Sequence, residues 1–378
     1  MKTPKLSLLA AAAVLVTSVN SIASAPMCAE VFSTQDIRFT KMDAQVTDKQ
    51  VAVFKQVVAD VNGSLGNTHL VIPDGVEIKV YTQHPDPVAN PIDMSVNAGV
   101  RFFMGLQADK NNPKSVKNYY KVPTVSSPIL AHEYGHIIFF ENFGIREPIW
   151  REAFKTFREK MPELTVKDQQ YQKLIGEIAL RQEQLKTMTD KAQIAQIQQE
   201  MLQLVLQAVK LNKEIELEGA AVQTLSAITT SYNEFFADVM AVLYTGKPTS
   251  IEDAVTFTRT LQFDGKLAKE MKQSNDERNF KDRAEPRDAK DDFEDHGYFS
   301  TVRAGVWESY LASPTIRTAK RGQVTEAIFD AIAKECSTLI RSGAPVNLKT
   351  KEKWIELNER LMKAIDNEMA ARGITKLK

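Results

Sequence analysis

The sequence predicts an α+β protein, predominantly helical, with a long coiled-coil-like helical hairpin inserted in it. Three observations carry this expectation. The first hundred or so mature residues mix helical spacing with strand-like alternation, and an apolar helix follows at 128–144. Residues 166–230 are then rich in Gln, Glu, Lys and Leu, with hardly any Gly or Pro.

In chain order, "MKTPK" is short and basic, Leu6–Val16 is an apolar run, and "SIASAP" supplies small residues for cleavage. This is the three-part pattern of a secretory signal peptide, best cut after Ala23 because Pro26 would crowd a later site. Residues 1–23 are thus expected to be removed on export, to the periplasm or outside the cell. The mature chain keeps 46 basic against 48 acidic residues, so no charge excess argues for nucleic acid or an anionic membrane surface. After the signal no apolar run approaches the roughly twenty residues that span a bilayer. Cys28 and Cys336 could pair in an oxidising compartment or stay apart.

Residues 47–66 place Val51, Phe54, Val58 and Val61 at helical spacing behind a Thr47 cap. "GVEIKVYTQ" (75–83) alternates as a strand, "HPDPVANP" (84–91) reads as a turn-rich loop, and "MSVNAGVRFFMGL" (94–106) reads as a second strand interrupted by Gly99. Ser127-Pro128 is a capping hydroxyl followed by proline, a good start for the helix "PILAHEYGHIIFFENF". An N-terminal α/β lobe, 26–145, would end in this helix, and a mostly helical lobe, 146–378, would follow.

Within the second lobe, Ile194, Ile197, Met201, Leu204, Ala208, Leu211 and Ile215 step by three and four as a heptad seam. Tyr171, Ile175, Ile178 and Leu185 give a shorter one upstream, and "TMTDK" (187–191) offers the turn between them. The hairpin, at about 166–230, is either scaffold or a docking element for a protein partner. "SNDERNFKDRAEPRDAKDDFEDH" (274–296) is dense in both charge signs and reads as a surface loop. The last helix should bury Trp354, Leu357, Leu361, Ile365 and Met369 and stop at Gly373.

The chemistry concentrates at His132-Glu133-x-x-His136. Residues four apart on a helix share a face, so both imidazoles can reach one zinc ion, while Glu133 lies beside it as a base for a zinc-bound water. A third ligand is required. Phe139 and Asn142 stand where the extended motif with a third histidine needs Gly and His, which excludes that branch. "SYNEFFADVMAVL" (231–243) offers Glu234 as a ligand and Asp238, one turn on, as an acceptor for the free N–H of a ligand histidine. Glu141, Glu216 and Glu218 compete as ligands but lack an aspartate four residues on in so apolar a helix.

His132-Glu133-x-x-His136 followed by Asn233-Glu234-x-x-Ala237-Asp238 resembles the gluzincin metallopeptidases, the thermolysin-like clan. The resemblance implies a zincin-like metallopeptidase fold and one catalytic Zn²⁺ on His132, His136 and Glu234, with Asp238 orienting. It also implies substrate backbone bound by strand addition along an edge strand, here "MSVNAGVRFF" with Asn97, Ala98 and Gly99. The 97 residues between His136 and Glu234, much of them the hairpin, are the departure from the pattern.

An oxyanion donor is also needed. "DHGYFSTVRAGVW" (295–307) supplies His296 or Tyr298, and Arg303 can bind a substrate carboxylate or pair with nearby acids. The expected activity is an exported zinc endopeptidase acting on peptides or proteins. A zinc hydrolase for a non-peptide bond, and an exported binding or assembly protein using the hairpin with a structural or vestigial zinc, are the alternatives.

Overall fold

The computed structural model describes residues 31–34, 37–84, 88–102, 123–259, 278–281, 283, 297–342 and 350–377. Residues 1–23, read as a signal peptide from the sequence, lie outside them, as do Cys28 and His296. The described chain forms two compact units, one made of 148–226, the other of the remaining described residues up to 147 and from 227 onward. The sequence division at 145/146 therefore gives way to a different one, since the segments on both sides of the hairpin build one unit.

That larger unit is predominantly helical with a small mixed sheet. Its strands are β1 (Val31–Thr34), β2 (Ile37–Lys41), β3 (Glu77–His84), β4 (Val88–Asn90) and β5 (Ser95–Phe102), in the order β1-β2-β3-β5-β4. β2, β3 and β5 run parallel, while β1 and β4 pair antiparallel at the two ends. Alternation sets the faces: Ile78 and Val80 are buried while Lys79 and Tyr81 are partly open. Helix α1 (Asp48–Leu65) starts at the expected Thr47 cap, where Thr47 and Gln50 close a reciprocal capping box. It buries Val51, Phe54, Val58 and Val61.

Three local expectations change. β4 forms inside the stretch read as a loop, because an end strand tolerates the flanking prolines that a central strand would not. β5 therefore lies between β3 and β4 and is not the last strand of the sheet. Gly99 pairs with Tyr81 and interrupts nothing. Helix α2 runs Pro123–Arg146, so Pro128 sits inside it and Ser127 is not its cap.

The smaller unit holds α3 (Pro148–Thr187) and the first part of α4 (Lys191–Thr245), joined through 188–190 where the turn was expected. Glu218 meets Lys160, Glu214 meets Lys167 and Glu200 meets Arg181, the order of two antiparallel arms. Of the heptad seam Ala208 is fully buried, and its other members are half-buried because two helices cover a stripe only partly. On α3 the inner face uses Leu174 in place of Ile175, which is exposed. α4 is continuous, so the helix bearing Glu234 and Asp238 is the far end of the hairpin's second arm and not a separate element.

The larger unit is completed by α5 (Ser250–Arg259), α6 (Ser300–Val306) with a π-helical turn at Trp307–Leu311, α7 (Pro314–Ala319), α8 (Arg321–Ser342) and α9 (Lys351–Ala371). α9 buries the five expected residues, and Gly373 takes the left-handed conformation just past its end. Phe139 of α2, Phe236 of α4 and Phe329 of α8 meet with ring centroids 5.7–5.9 Å apart, locking three helices.

Candidate metal centre

The site is assembled by α2 and the last turns of α4. Gly135 makes their approach possible: a Cβ there would lie 3.1 Å from both the Ala237 backbone and the Met240 side chain. On α2, Tyr134 donates its hydroxyl to Asn62 of α1 (2.9 Å). Asn142 exchanges hydrogen bonds with the backbone of Val71 (2.7 and 2.9 Å), so the residue that stands where a third histidine would fall holds a neighbouring segment instead.

His132, His136 and Glu234 come together as a group that could hold a metal ion. The two imidazole Nε2 atoms are 3.0 Å apart, and each is 3.4–3.5 Å from an oxygen of Glu234. Four-coordinate bonds of about 2.0–2.1 Å imply ligand–ligand separations near 3.3 Å, close to each of these spacings, with the two imidazoles facing different oxygens of Glu234. The tautomer fits too. His132 Nδ1 lies 3.0 Å from Asp238 Oδ1, and donating that N–H leaves the Nε2 lone pair turned to Glu234 and His136. His136 Nδ1, by contrast, is buried with no hydrogen-bond partner among the described residues.

Asp238 is completely buried and serves three cationic or N–H partners. Arg303 grips Oδ2 through Nε and Nη2 (2.9 and 2.7 Å), and Arg278 Nη2 reaches Oδ1 at 2.8 Å. Burial alone would raise the Asp238 carboxyl, but Arg278, Arg303 and His132 outweigh it and hold it well below the usual carboxylate range. Burial works against the Arg278 cation as well, yet Asp238 and Glu234 keep it more firmly charged than usual.

Arg278 is the residue that sequence reasoning misses. Its Nη2 lies 3.0 Å from His132 Nε2 and 3.3 Å from Nδ1. A point that close to both ring nitrogens cannot lie in the ring plane without striking Cε1 between them. Arg278 Nη2 therefore sits over the imidazole face and not in the plane of the ring, where the Nε2 lone pair points. Among the described residues, three carboxyl groups (Glu133, Glu234, Asp238) face two guanidinium groups, so once Glu133 ionises one negative charge is left for a bound cation to balance.

Glu133 points to the sheet, where its Oε2 accepts the backbone N–H of Ala89 in β4 at 2.9 Å. Burial raises its pKa to about 7, with Glu234 adding to the rise and His136, Arg278 and the Ala89 N–H opposing it. A carboxyl poised there can take up and return a proton near neutrality.

Other expected site residues fall elsewhere. Tyr298 is a core residue: its ring lies on Trp354 (5.3 Å), and its hydroxyl is closed off from solvent, so it is not presented to an oxyanion. Arg303 is fully buried on Asp238 and cannot receive a substrate carboxylate. Asn97 pairs with Val88 of β4, and Ala98 and Gly99 are buried alongside β3, so none of the three lies on the sheet's last strand. Glu216 and Glu218 stay in the hairpin, bonded to Asn212 and Lys160. The chain matches no protein-family model, no curated protein and no solved structure.

Proposed function

We propose that the protein is an exported zinc-dependent endopeptidase of gluzincin type, with a zincin-like arrangement around one zinc ion. The observation that carries the reading is the convergence of His132, His136 and Glu234, with Asp238 fixing the His132 tautomer and a half-buried Glu133 beside them. His132, His136 and Glu234 would hold the ion, whose two nitrogens and one carboxylate favour zinc, and zinc would supply Lewis-acid polarisation of the scissile carbonyl. Glu133 takes a proton from the attacking water and delivers it to the leaving amine, so hydroxide adds to carbon and hydrogen to nitrogen. Arg278, at the rim of the same cluster with its side chain 14% exposed, is the described cation best placed to donate to the developing oxyanion.

The test is digestion of an unfolded protein mixture by the mature chain and by Glu133→Gln, both carrying one zinc per chain. Cleavage by the first and a loss of about 10²–10⁴-fold in the second supports the reading. Zinc in both with cleavage in neither removes it.

One observation favours a role for the hairpin beyond scaffold: Leu202, Leu206 and Val209, one face of α4, are 55–60% exposed. A protein partner docked there is the second reading, checked by the loss of partner capture in Leu202→Ser/Leu206→Ser with zinc content unchanged.

A further inference from the structure

Ala89 is the middle residue of a three-residue strand, and its N–H goes to Glu133 Oε2. Across the ladder it stands opposite Val96. Because it donates to Glu133, its N–H faces away from β5, and in an extended strand its carbonyl shares that direction. The next positions of the same parity in the sequence are Pro87 and Pro91, which carry no N–H. Within Val88–Asn90 the outer side of the strand thus has one backbone donor, and the candidate base holds it.

A peptide added to this edge needs outward N–H groups for its carbonyls. One N–H offered to both a carboxylate and a substrate carbonyl sets the two acceptors in competition. We propose that the Ala89 N–H is a shared donor, which restrains Glu133 in the unliganded protein and passes to a backbone carbonyl of the bound peptide, freeing the base as the substrate seats. Recognition along this edge is then one residue deep, and Ala89 acts as a positioning residue for Glu133. The identity of the incoming ligand rests on the peptidase reading, whereas the restraint of Glu133 does not.

Site-resolved hydrogen exchange at the Ala89 amide, on the zinc-loaded mature chain labelled with ¹⁵N-alanine, tests both halves. The amide should exchange slowly in the wild type and in Glu133→Gln, whose side-chain oxygen still accepts, and at least about tenfold faster in Glu133→Ala. Adding the amidated hexapeptide Gly-Ala-Phe-Leu-Ala-Lys to Glu133→Ala should slow it again, since that variant binds without cutting. Equal exchange in the wild type and Glu133→Ala overturns the restraint. Fast exchange that persists in Glu133→Ala at saturating hexapeptide overturns the handover. Failure of the wild type to cut the same hexapeptide, with the expected exchange pattern intact, counts against the peptidase reading alone.

Discussion

Helix α4 carries two regions built from the same residue types with opposite consequences. In its hairpin part, Glu200, Glu214 and Glu218 meet Arg181, Lys167 and Lys160 with glutamate side chains 29–45% exposed. In its last turns, Glu234 is 14% exposed and Asp238 not at all, and their partners are two guanidinium groups and two imidazoles. Exposed pairs of the first kind contribute about 0–1 kcal/mol, while removing one partner from a buried network costs about 3–5 kcal/mol. The hairpin gives the louder periodic signal in the sequence, yet the candidate metal ligand Glu234 sits where periodicity is interrupted by charge in an apolar frame.

The strongest way to break this comparison is Asp238→Ala. It strands Arg303, Arg278 and the His132 N–H together, so a loss of about 3–5 kcal/mol is expected, lowering Tm by more than about 6 °C. A shift under about 2 °C would place Asp238 with the hairpin acids. Glu234→Ala separates ligand strength from fold. Zinc affinity, measured by competition with a chromophoric chelator, should fall by more than the roughly 10–100-fold typical of outer-sphere partners. The Tm of the metal-free variant should fall far less than that of Asp238→Ala, because Glu234 keeps part of its side chain open and its charge repels that of Glu133.

What the sequence made legible follows the same division. His132 and His136 are read from a spacing that helical geometry fixes, and Glu234 with Asp238 from a second such spacing in an apolar helix. Arg278 was not legible, because nothing local separates it from the arginines and lysines around it. Phe280, the one large apolar residue close by and fully buried, was the available signal that this part of the charged run turns inward. Tyr298 misleads for the converse reason: it is a residue type that suits a site, and only long-range packing on Trp354 shows it committed elsewhere. Arg303 takes the second of its two expected roles and pairs with an acid, but that acid is Asp238, sixty-five residues upstream. β4 was hidden by its prolines, which mark a loop by propensity and an end strand by position.

A smaller effect sharpens the view of Glu133. Its carboxyl keeps a proton up to about 7 in the folded chain, against 4.5 as the ordinary value. The stability tied to this raised pKa is fully present below about pH 4.5 and lost as pH rises through about 7. In chelator, Glu133→Gln, which stays neutral and can still accept the Ala89 N–H, should therefore gain on the wild type by about 1–3 kcal/mol between pH 5 and pH 8. Denaturant titrations at both pH values decide it, and parallel changes in the two proteins would mean that Glu133 is solvated like the hairpin glutamates.

The smallest expected effect is the control for all the others. Arg181 and Glu200 link the two arms at 3.3 Å with side chains 28% and 45% exposed, and Arg181 also lies near Glu177. A double-mutant cycle with Arg181→Ala and Glu200→Ala should return a coupling below about 1 kcal/mol, declining further in salt. A coupling as large as that expected at Asp238 would mean that exposure does not separate the two ends of α4. The unpaired apolar face at Leu202 and Leu206 would then be the place to look for the low-dielectric surroundings that strengthen it.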